Sequence, residues 1–449
     1  MANVIKIKKG LDINLKGKAS DVLLNGGKSD SYAIVPDYYN GIVPKVVAKV
    51  GEKVKAGSVL MIDKNRPEIK FVSPVSGEVT AVNRGEKRKV LSVVVKPEAQ
   101  IEYEDFGKKN VASLKREEVK EAILHAGMWP FIKQRPYDIV ASPADEPRDI
   151  FVSAFYSAPL APNFDFVVKG QEVDFQTGLD ALAKLTDGKV YVGIRKGSSV
   201  SVKGVETVEV EGPHPAANVG VQINHIKPIN KGEVVWTVNP ADVIVIGRLF
   251  NKGIADFSRL VVITGSETTE RGYVKAIAGC TIASLVGGKI MRGNEDIRII
   301  SGNVLTGTKV EKNDYLGAYD NQITVIPEGD ETHDFFGWAT PGFGKFSVSH
   351  SFPAWLMGKN KEYVIDARIK GGKRAMIMSN EYDSVFPMDI MPEYLLKAII
   401  AFDIDKMENL GIYEVAPEDF ALCEFVDTSK LEIQKIVRQG LDVLYKEMN

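Results

Sequence analysis

The chain has 449 residues, more than one ordinary hydrophobic core holds, so three or four domains are expected. Hydrophobic residues make up 44% and charged residues 26%, which is typical of globular proteins with sizeable cores. The formal net charge is −2 without a long basic face or tail, so nothing favours nucleic acid as a partner. No apolar run approaches the roughly 18 to 20 residues that span a bilayer, so any membrane role is expected to be peripheral.

Cysteine and histidine give no metal-binding pattern. The two cysteines, Cys280 and Cys423, are far apart and lack Cys-x-x-Cys spacing. The five histidines are scattered, and none lies three or four residues from another. We therefore expect this chain to bind no metal and no iron–sulfur cluster. The sparse cysteines and the absence of an apolar signal core at the start predict a reducing, cytoplasmic location.

The first 97 residues are rich in β pattern. Residues 1–35 alternate apolar residues with lysines and glycines, which predicts short strands that pack on a neighbour. Residues 36–97 contain two hairpin patterns with glycine turns, which predict a swapped-hairpin sandwich of the type that carries biotin or lipoate. A carrier lysine sits at the tip of a tight turn, but Lys64 is followed by a longer turn that Pro67 stiffens. We interpret Lys64 as a solvated charge; a biotin or lipoyl carrier is the alternative, which intact mass would reveal.

Strand and helix patterns alternate over residues 98–250. This alternation predicts an α/β domain of Rossmann-like type with a largely parallel sheet. The predicted helices cover residues 114–124 and 178–186, and the predicted strands cover residues 137–141, 150–154 and 190–194.

The sequence pattern changes twice after residue 250. Residues 251–330 predict a compact β-rich domain, with strands at 260–263 and 298–301 around a short helix at 281–286. Residues 331–375 form an aromatic-rich connecting segment. Residues 376–449 predict a helical domain. One helix begins with Pro392 in its first turn, and Ser429 with Glu432 predicts a capping box before another helix.

The standard nucleotide-binding loops are absent from the sequence. Neither Gly-x-Gly-x-x-Gly after a strand nor Gly-x-x-x-x-Gly-Lys-Ser/Thr occurs. His214 lies between two prolines, and such a rigid turn is suited to presenting a hydrogen-bonding ring to a ligand. The alternative is a turn histidine bonded to backbone. Cys423 is interpreted as a buried thiol rather than a redox group.

The connecting segment contains aromatic residues in an irregular stretch broken by glycine and proline. Because such a stretch does not bury every ring on one regular element, it predicts a surface that docks on protein or at a membrane interface. Internal packing between domains is the alternative. The predicted docking residues are Phe335, Phe343, Phe346, Phe352 and Trp355, and Phe336 and Trp338 belong to the same stretch.

A series of motifs along the chain resembles one known family. The motifs occupy residues 83–88, 150–154, 158–161, 211–216, 300–307, 315–317, 336–338 and 345–347. In order and spacing they resemble the A subunit of the bacterial sodium-translocating NADH:quinone oxidoreductase over nearly the whole chain. More distantly, the chain is similar to the flavin and iron–sulfur subunit of complex I and to the C subunit of the Rnf complex.

The resemblance implies an α/β multidomain protein. Its parts are a biotinyl/lipoyl-like barrel-sandwich hybrid, a Rossmann-like α/β domain, a β-grasp domain of SLBB type and a C-terminal helical bundle. It also implies a peripheral subunit on the cytoplasmic face of the bacterial inner membrane. There the complex reduces quinone with electrons from NADH and exports sodium, whereas the isolated chain is not expected to be catalytic. The alternatives are a purely structural assembly adaptor and an Rnf-like electron-transfer subunit.

This chain departs from the complex I relatives in the segments that correspond to their flavin loop. Residues 124–131 and 142–147 have lost most of those glycines, and the helical domain lacks a cysteine cluster. We therefore expect no redox cofactor here, with flavins and the iron–sulfur centre in partner subunits, some of them membrane-embedded. Quinone is the expected ligand. The predicted quinone-binding or interface residues are His214, Trp236, Phe336 and Trp338.

Overall fold

The protein is represented by a computed structural model that describes residues 4–291, 296–330, 342–358 and 360–448, apart from the side chains of residues 354 and 355. The strands of the described residues are β1 Val4–Lys6, β2 Leu23–Leu24, β3 Tyr32–Ile34, β4 Pro44–Val46, β5 Lys53–Val54, β6 Val59–Asp63, β7 Lys70–Val72, β8 Gly77–Arg84, β9 Val90–Pro97, β10 Ile132–Arg135, β11 Ile139–Val140, β12 Ile150–Ser153, β13 Val190–Arg195, β14 Glu206–Glu211, β15 Val235–Val238, β16 Ser258–Thr264, β17 Gly272–Ile277, β18 Ile297–Ser301, β19 Thr308–Val310 and β20 Gln322–Pro327.

The α-helices of the described residues are α1 Arg116–His125, α2 Phe164–Val168, α3 Glu172–Lys184, α4 Val219–Ile226, α5 Pro240–Lys252, α6 Ile282–Val286, α7 Pro392–Ile400, α8 Ile404–Asn409, α9 Ala421–Val426 and α10 Ile433–Met448. Each helix in this part of the chain is too short or too polar to cross a membrane.

The sandwich consists of two facing sheets, with strand orders β3-β9-β8-β5 and β4-β6-β7. The turn between β6 and β7, where a carrier protein would hold its lysine, is tied to the α/β domain. Arg66 donates to the carbonyls of Gly41 at 2.8 Å and Val140 at 3.2 Å, and its Nε lies 2.8 Å from the fully buried carboxylate of Asp63. Lys64 lies on the surface beside this anchored turn.

The α/β domain contains a seven-stranded sheet in the order β1-β14-β13-β12-β15-β10-β11. Neighbouring strands run parallel from β1 to β15 and antiparallel at β10 and β11, which confirms the predicted largely parallel sheet. Helices α3 and α5 pack closely against each other. At their contact Gly178 of α3 meets the backbone of Val243, so a side chain at this position would separate the helices.

The β-rich domain is a six-stranded sheet in the order β19-β18-β20-β16-β17-β2, with α6 packed against it. The predicted strands and the predicted short helix are confirmed as β16, β18 and α6. An ion pair joins this domain to α5, because Arg259 donates to Asp242 at 2.9 Å with both side chains buried. Burial raises the pKa of Asp242 to about 6, although Arg259 opposes that rise.

The helical domain is formed by α7 to α10, and Pro392 begins α7 as predicted. The predicted capping box is wrong, because α10 begins only at Ile433. Asp427 orders the loop before α10, since its carboxylate accepts the backbone N–H groups of Ser429 at 3.0 Å and Leu431 at 2.7 Å, and Glu424 accepts the N–H of Gln434 in the first turn of α10 at 2.8 Å. A carboxylate accepts these N–H groups more strongly than a neutral hydroxyl does.

The N-terminal segment, residues 4–35, contributes one edge strand to each of three sheets. β1 pairs with β14 of the α/β sheet, β2 with β17 of the β-rich sheet and β3 with β9 of the sandwich. Between β1 and β2, Ile13 and Leu15 are buried in the core that the segment shares with the helical domain. The short strands of this segment therefore pack on three separate domains.

Gly17 is a point where this segment contacts another domain through backbone alone. Its φ is +106°, its carbonyl accepts the N–H of Gly265 at 2.9 Å, and an added Cβ would overlap the backbone of Gly265. We expect Gly17→Ala to destabilise the fold by about 2 kcal/mol more than Gly51→Ala, because Gly51 also has a positive φ but open space around it. Denaturation midpoints of the two variants measure this difference, and equal midpoints would contradict the close approach.

Candidate functional site

A cleft of about 1280 Å³ opens at the carboxyl ends of β12, β13 and β14. In open α/β sheets ligands bind in this position, beyond the carboxyl ends of the strands. The loop that follows β12 supplies one wall, and the N-terminal segment supplies another. The lining residues are 12–15, 18–21, 155–165, 195–197, 210–212, 360 and 362.

Tyr156 closes the side of the cleft where the strand order reverses, between β12 and β15. Its hydroxyl donates to Asn239 Oδ1 at 3.0 Å and accepts from Asn321 Nδ2 of the β-rich domain. Asn239 also caps α5, since its Oδ1 accepts the N–H of Ala241 at 3.1 Å. A helix N-terminus at this place would otherwise be suited to a phosphate group. Here the side chains of Asn239 and Tyr156 occupy it.

Residues 124–131, which the sequence resemblance assigns to the flavin loop of the complex I relatives, pack largely into the core. Trp129 and Phe131 are buried, and Trp129 Nε1 donates to the carbonyl of Ala141 at 2.8 Å. An indole ring of this size excludes the close backbone approach that a glycine-rich loop gives. Residues 126–131 are all buried, so this segment consists of packed side chains rather than an exposed loop.

His214 lies directly behind the cleft wall. Its side chain is 4% exposed, and its Nδ1 is 3.0 Å from the hydroxyl of Ser157, which lines the cleft. The backbone N–H of His214 donates to the carboxylate of Asp12 at 2.9 Å, and its backbone carbonyl accepts the N–H of Leu11 at 2.8 Å. Burial lowers the pKa of His214 to about 4, so the imidazole is neutral at pH 7. The geometry thus places Ser157, rather than His214, on the cleft surface.

Trp236 lies in the core, away from His214 in the sheet order. It is 2% exposed on β15 and packs edge to face on Trp129, with the ring centroids 5.3 Å apart. Its Nε1 has no hydrogen-bond partner among the described residues. Two strands, β12 and β13, separate β15 from β14, after which His214 follows. The structure does not bring the two predicted quinone residues together, and their contact with a ligand stays a prediction.

The aromatic segment is only partly covered. Phe335, Phe336 and Trp338 lie outside the described residues, as does the side chain of Trp355. Phe343 is 53% exposed, in keeping with a surface role. Phe346 packs on Tyr363 and Phe425, with centroid distances of 5.3 and 6.0 Å, and this is the internal packing that was the alternative.

Phe352 is half-buried, with the Lys345 ammonium 5.5 Å from its ring centroid. This contact lies within the segment itself. The docking role of the aromatic residues stays a prediction.

Several charged side chains along the cleft are held by neighbouring protein groups, and two of them form an ion pair. Arg195 donates to the carbonyl of Tyr156 at 2.9 Å, and Lys196 lies 2.9 Å from Glu211. Asp21 accepts from Asn163 at 2.8 Å. The loop of residues 158–162, Ala-Pro-Leu-Ala-Pro, supplies an apolar wall with no charge. The cleft is therefore suited to an uncharged ring with polar edges rather than to a polyanion.

The cysteines and the other polar side chains give no metal centre. Cys280 and Cys423 are both buried, and burial raises the pKa of Cys280 to about 11. Within the described ranges, no three His, Cys, Asp or Glu side chains are grouped to hold a metal ion.

Sequence analysis missed Ser157, Arg195 and the covering wall of residues 12–21. The signal for the first two was their position just after buried parallel strands, because loops at that edge line the ligand cleft. No local sequence pattern indicates that residues 12–21 line the cleft, because their position depends on the pairing of β1 and β2 with distant strands.

The fold and cleft define the chain as a multidomain α/β protein built from a barrel-sandwich hybrid, an α/β domain, an SLBB domain and C-terminal helices. The family described as NqrA N-terminal barrel-sandwich hybrid domain matches residues 5–98. The NqrA second alpha/beta domain matches residues 114–255, and the NQRA C-terminal domain matches residues 260–312.

Full-length relatives agree with these domains. The A subunit of the Na(+)-translocating NADH-quinone reductase of Neisseria meningitidis serogroup A is 36% identical over 99% of this chain and 100% of its own length. That of Vibrio atlanticus is 37% identical over the same shares, and that of Photorhabdus laumondii 34%. The chain belongs to the NqrA family, the A subunits of the Na(+)-translocating NADH-quinone reductase, which confirms the resemblance and the predicted fold class.

The pH dependence of stability tests the environment of His214. The unfolded chain binds a proton on this histidine near pH 6.5, but the folded chain does so only near pH 4, so stability falls as the pH drops through this window. We expect the wild type to lose about 2 kcal/mol relative to His214→Gln between pH 8 and pH 5, because glutamine does not titrate. Denaturation midpoints of both proteins across this range measure the effect. If the difference in unfolding free energy between the wild type and His214→Gln stayed constant down to pH 5, this would contradict a buried neutral imidazole.

Proposed function

We propose that this chain is a peripheral subunit on the cytoplasmic face of the membrane and takes part in the reduction of semiquinone to quinol without a redox cofactor of its own. The observation that carries the proposal is the cleft whose phosphate-binding position is occupied by Tyr156 and Asn239. Electrons then come from flavins and an iron–sulfur centre in partner subunits, including membrane-embedded ones.

The absence of a flavin on this chain is supported by two contacts. The N-terminus of α5 is satisfied by its own cap, so an incoming phosphate would have to displace the bonds of Tyr156 with Asn239 and Asn321. Trp129 is buried within the segment that the sequence resemblance assigns to a flavin loop. A purified chain without flavin absorbance is the expected result, and a stoichiometric flavin would overturn this part of the proposal.

The cleft also offers what a quinone ring requires. A quinone binds in a slot with apolar walls and one or two donors for its carbonyl oxygens. The Ala-Pro-Leu-Ala-Pro loop supplies an apolar wall, and the Ser157 hydroxyl supplies a polar group held by His214 Nδ1 and by the N–H of Ala217, each at 3.0 Å. In this arrangement His214 acts through Ser157 as a positioning residue.

Ala158 faces the cleft and makes no side-chain hydrogen bond, so it can be enlarged without removing a polar contact. We expect Ala158→Trp in the assembled complex to raise the KM for quinone about tenfold, because the indole fills the cleft, while NADH oxidation with an artificial electron acceptor is unchanged. Steady-state kinetics with both acceptors measure the difference.

Two further variants sharpen this test. Ala283→Trp, on the exposed surface of α6, adds the same ring away from the cleft and is expected to leave both activities unchanged. His214→Ala is expected to weaken quinone reduction by releasing Ser157. If Ala158→Trp and His214→Ala both leave the quinone KM and the quinone reductase rate as in the wild type, the cleft is not where quinone acts.

A second candidate function is a purely structural adaptor of the same complex. The exposed ring of Phe343 favours it, since a large apolar side chain on the surface is suited to contact with a partner protein. If this function is correct, Phe343→Ser lowers assembly and quinone reduction in the same proportion, and added quinone does not protect the segment from surface labelling. Loss of activity in a fully assembled complex would count against the adaptor.

A further inference from the structure

The outer side of the smaller sandwich sheet carries lysines and valines that are turned towards solvent. On β4 and in the residues on either side of it, Val43, Val47 and Val50 are 44%, 43% and 62% exposed, and Lys45 and Lys49 lie between them. Lys64 and Lys70 belong to the same side. We call these seven residues the lysine–valine face.

The strand register places the lysines of this face beside one another. Lys45 is opposite Ile62, and Ile62 is opposite Lys70, so one row crosses all three strands. Because side chains alternate along a strand, Lys64 points to the same side as Ile62, whereas Asp63 between them is fully buried. Lys45, Lys64 and Lys70 therefore share one surface of the sandwich.

No carboxylate of the described residues lies within 4.0 Å of the ammonium groups of Lys45, Lys49, Lys64 or Lys70. The nearest exposed acids in sequence are Glu52 and Glu68 in the adjoining turns. Residues 36–97 contain twelve lysines and arginines against six acidic residues, a net charge of +6, while the whole chain is −2. The rest of the chain is therefore −8, so the positive charge is concentrated in the sandwich.

The chemistry of the face decides between possible occupants. Lysine is depleted at the cores of protein–protein interfaces, whereas unpaired lysines on a surface are attracted to anionic lipid headgroups. Small exposed aliphatic side chains between lysines add contact with the headgroup region without a deep apolar insertion. We propose that the lysine–valine face rests on the anionic phospholipid headgroups of the membrane that holds the partner subunits.

This inference rests on the peripheral membrane location in the proposed function, but not on any role in quinone reduction. It also assigns a role to the anchored turn of the sandwich. Arg66 holds the turn through its bonds to the carbonyls of Gly41 and Val140, and Lys64 stays exposed on the outer side. The position that a carrier would use for a swinging lysine is here part of a fixed cationic surface.

Vesicle sedimentation with the purified full chain tests the proposal. We expect binding to vesicles of phosphatidylcholine mixed with phosphatidylglycerol, no binding to phosphatidylcholine alone, and loss of binding at high salt. Changing any one lysine of the face to glutamine is expected to lower the partitioning of the chain onto anionic vesicles about fivefold. The variant with all four lysines changed, Lys45, Lys49, Lys64 and Lys70, should bind anionic vesicles no better than it binds neutral ones.

Two matched variants make the test specific. The same four lysines changed to arginine keep the charge and are expected to keep binding. Four exposed lysines of other domains changed to glutamine remove the same charge and are expected to change binding little; they are Lys169, Lys203, Lys312 and Lys446.

Several outcomes would overturn the proposal. These are no binding of the wild type to anionic vesicles, equal losses in the two glutamine variants, and a face variant that binds lipid normally but leaves the detergent-solubilised complex. The last result would assign the face to an acidic protein surface. Because the assay contains no quinone, its failure leaves the quinone proposal to its own test.

Discussion

The arrangement of the domains depends on backbone pairing by the N-terminal segment. β1, β2 and β3 are edge strands of three different sheets, so about thirty residues fix the relative positions of the α/β domain, the β-rich domain and the sandwich. Residues 12–15 and 18–21, between β1 and β2, also form a wall of the cleft. The segment that joins the domains therefore also supplies part of the candidate site.

Buried charges reinforce this arrangement. Arg259 with Asp242 joins the β-rich domain to α5, and Arg135 with Asp419 joins the α/β sheet to the helical domain, each at 2.9 Å. Loss of one partner would leave an uncompensated buried charge, which is more costly than loss of an exposed pair. These pairs specify which surfaces meet, and Tyr156 adds a third link by bonding Asn239 and Asn321 across two domains.

Local sequence patterns predicted elements better than they predicted the site. α7 and the strands β12 and β13 were foreseen, because helical spacing and buried apolar runs decide them. Helix α5 was missed: it is apolar on nearly every side because it is buried, and its one start signal was Asn239 before Pro240. The cleft joins residues near positions 15, 160 and 195, and Trp236 is in the core rather than near His214. Only long-range pairing decides such placements, and one sequence does not display it.

The most direct test of the account is to purify the complex from gently solubilised native membranes through a tag on this chain, and to assay sodium-stimulated NADH:quinone reduction. The account predicts that flavin-bearing membrane subunits and this activity co-purify with the tag. It also predicts that the tagged chain, once separated from them, carries no flavin. A chain that emerges alone and inactive, under conditions that keep other membrane complexes intact, would contradict its role as a working subunit.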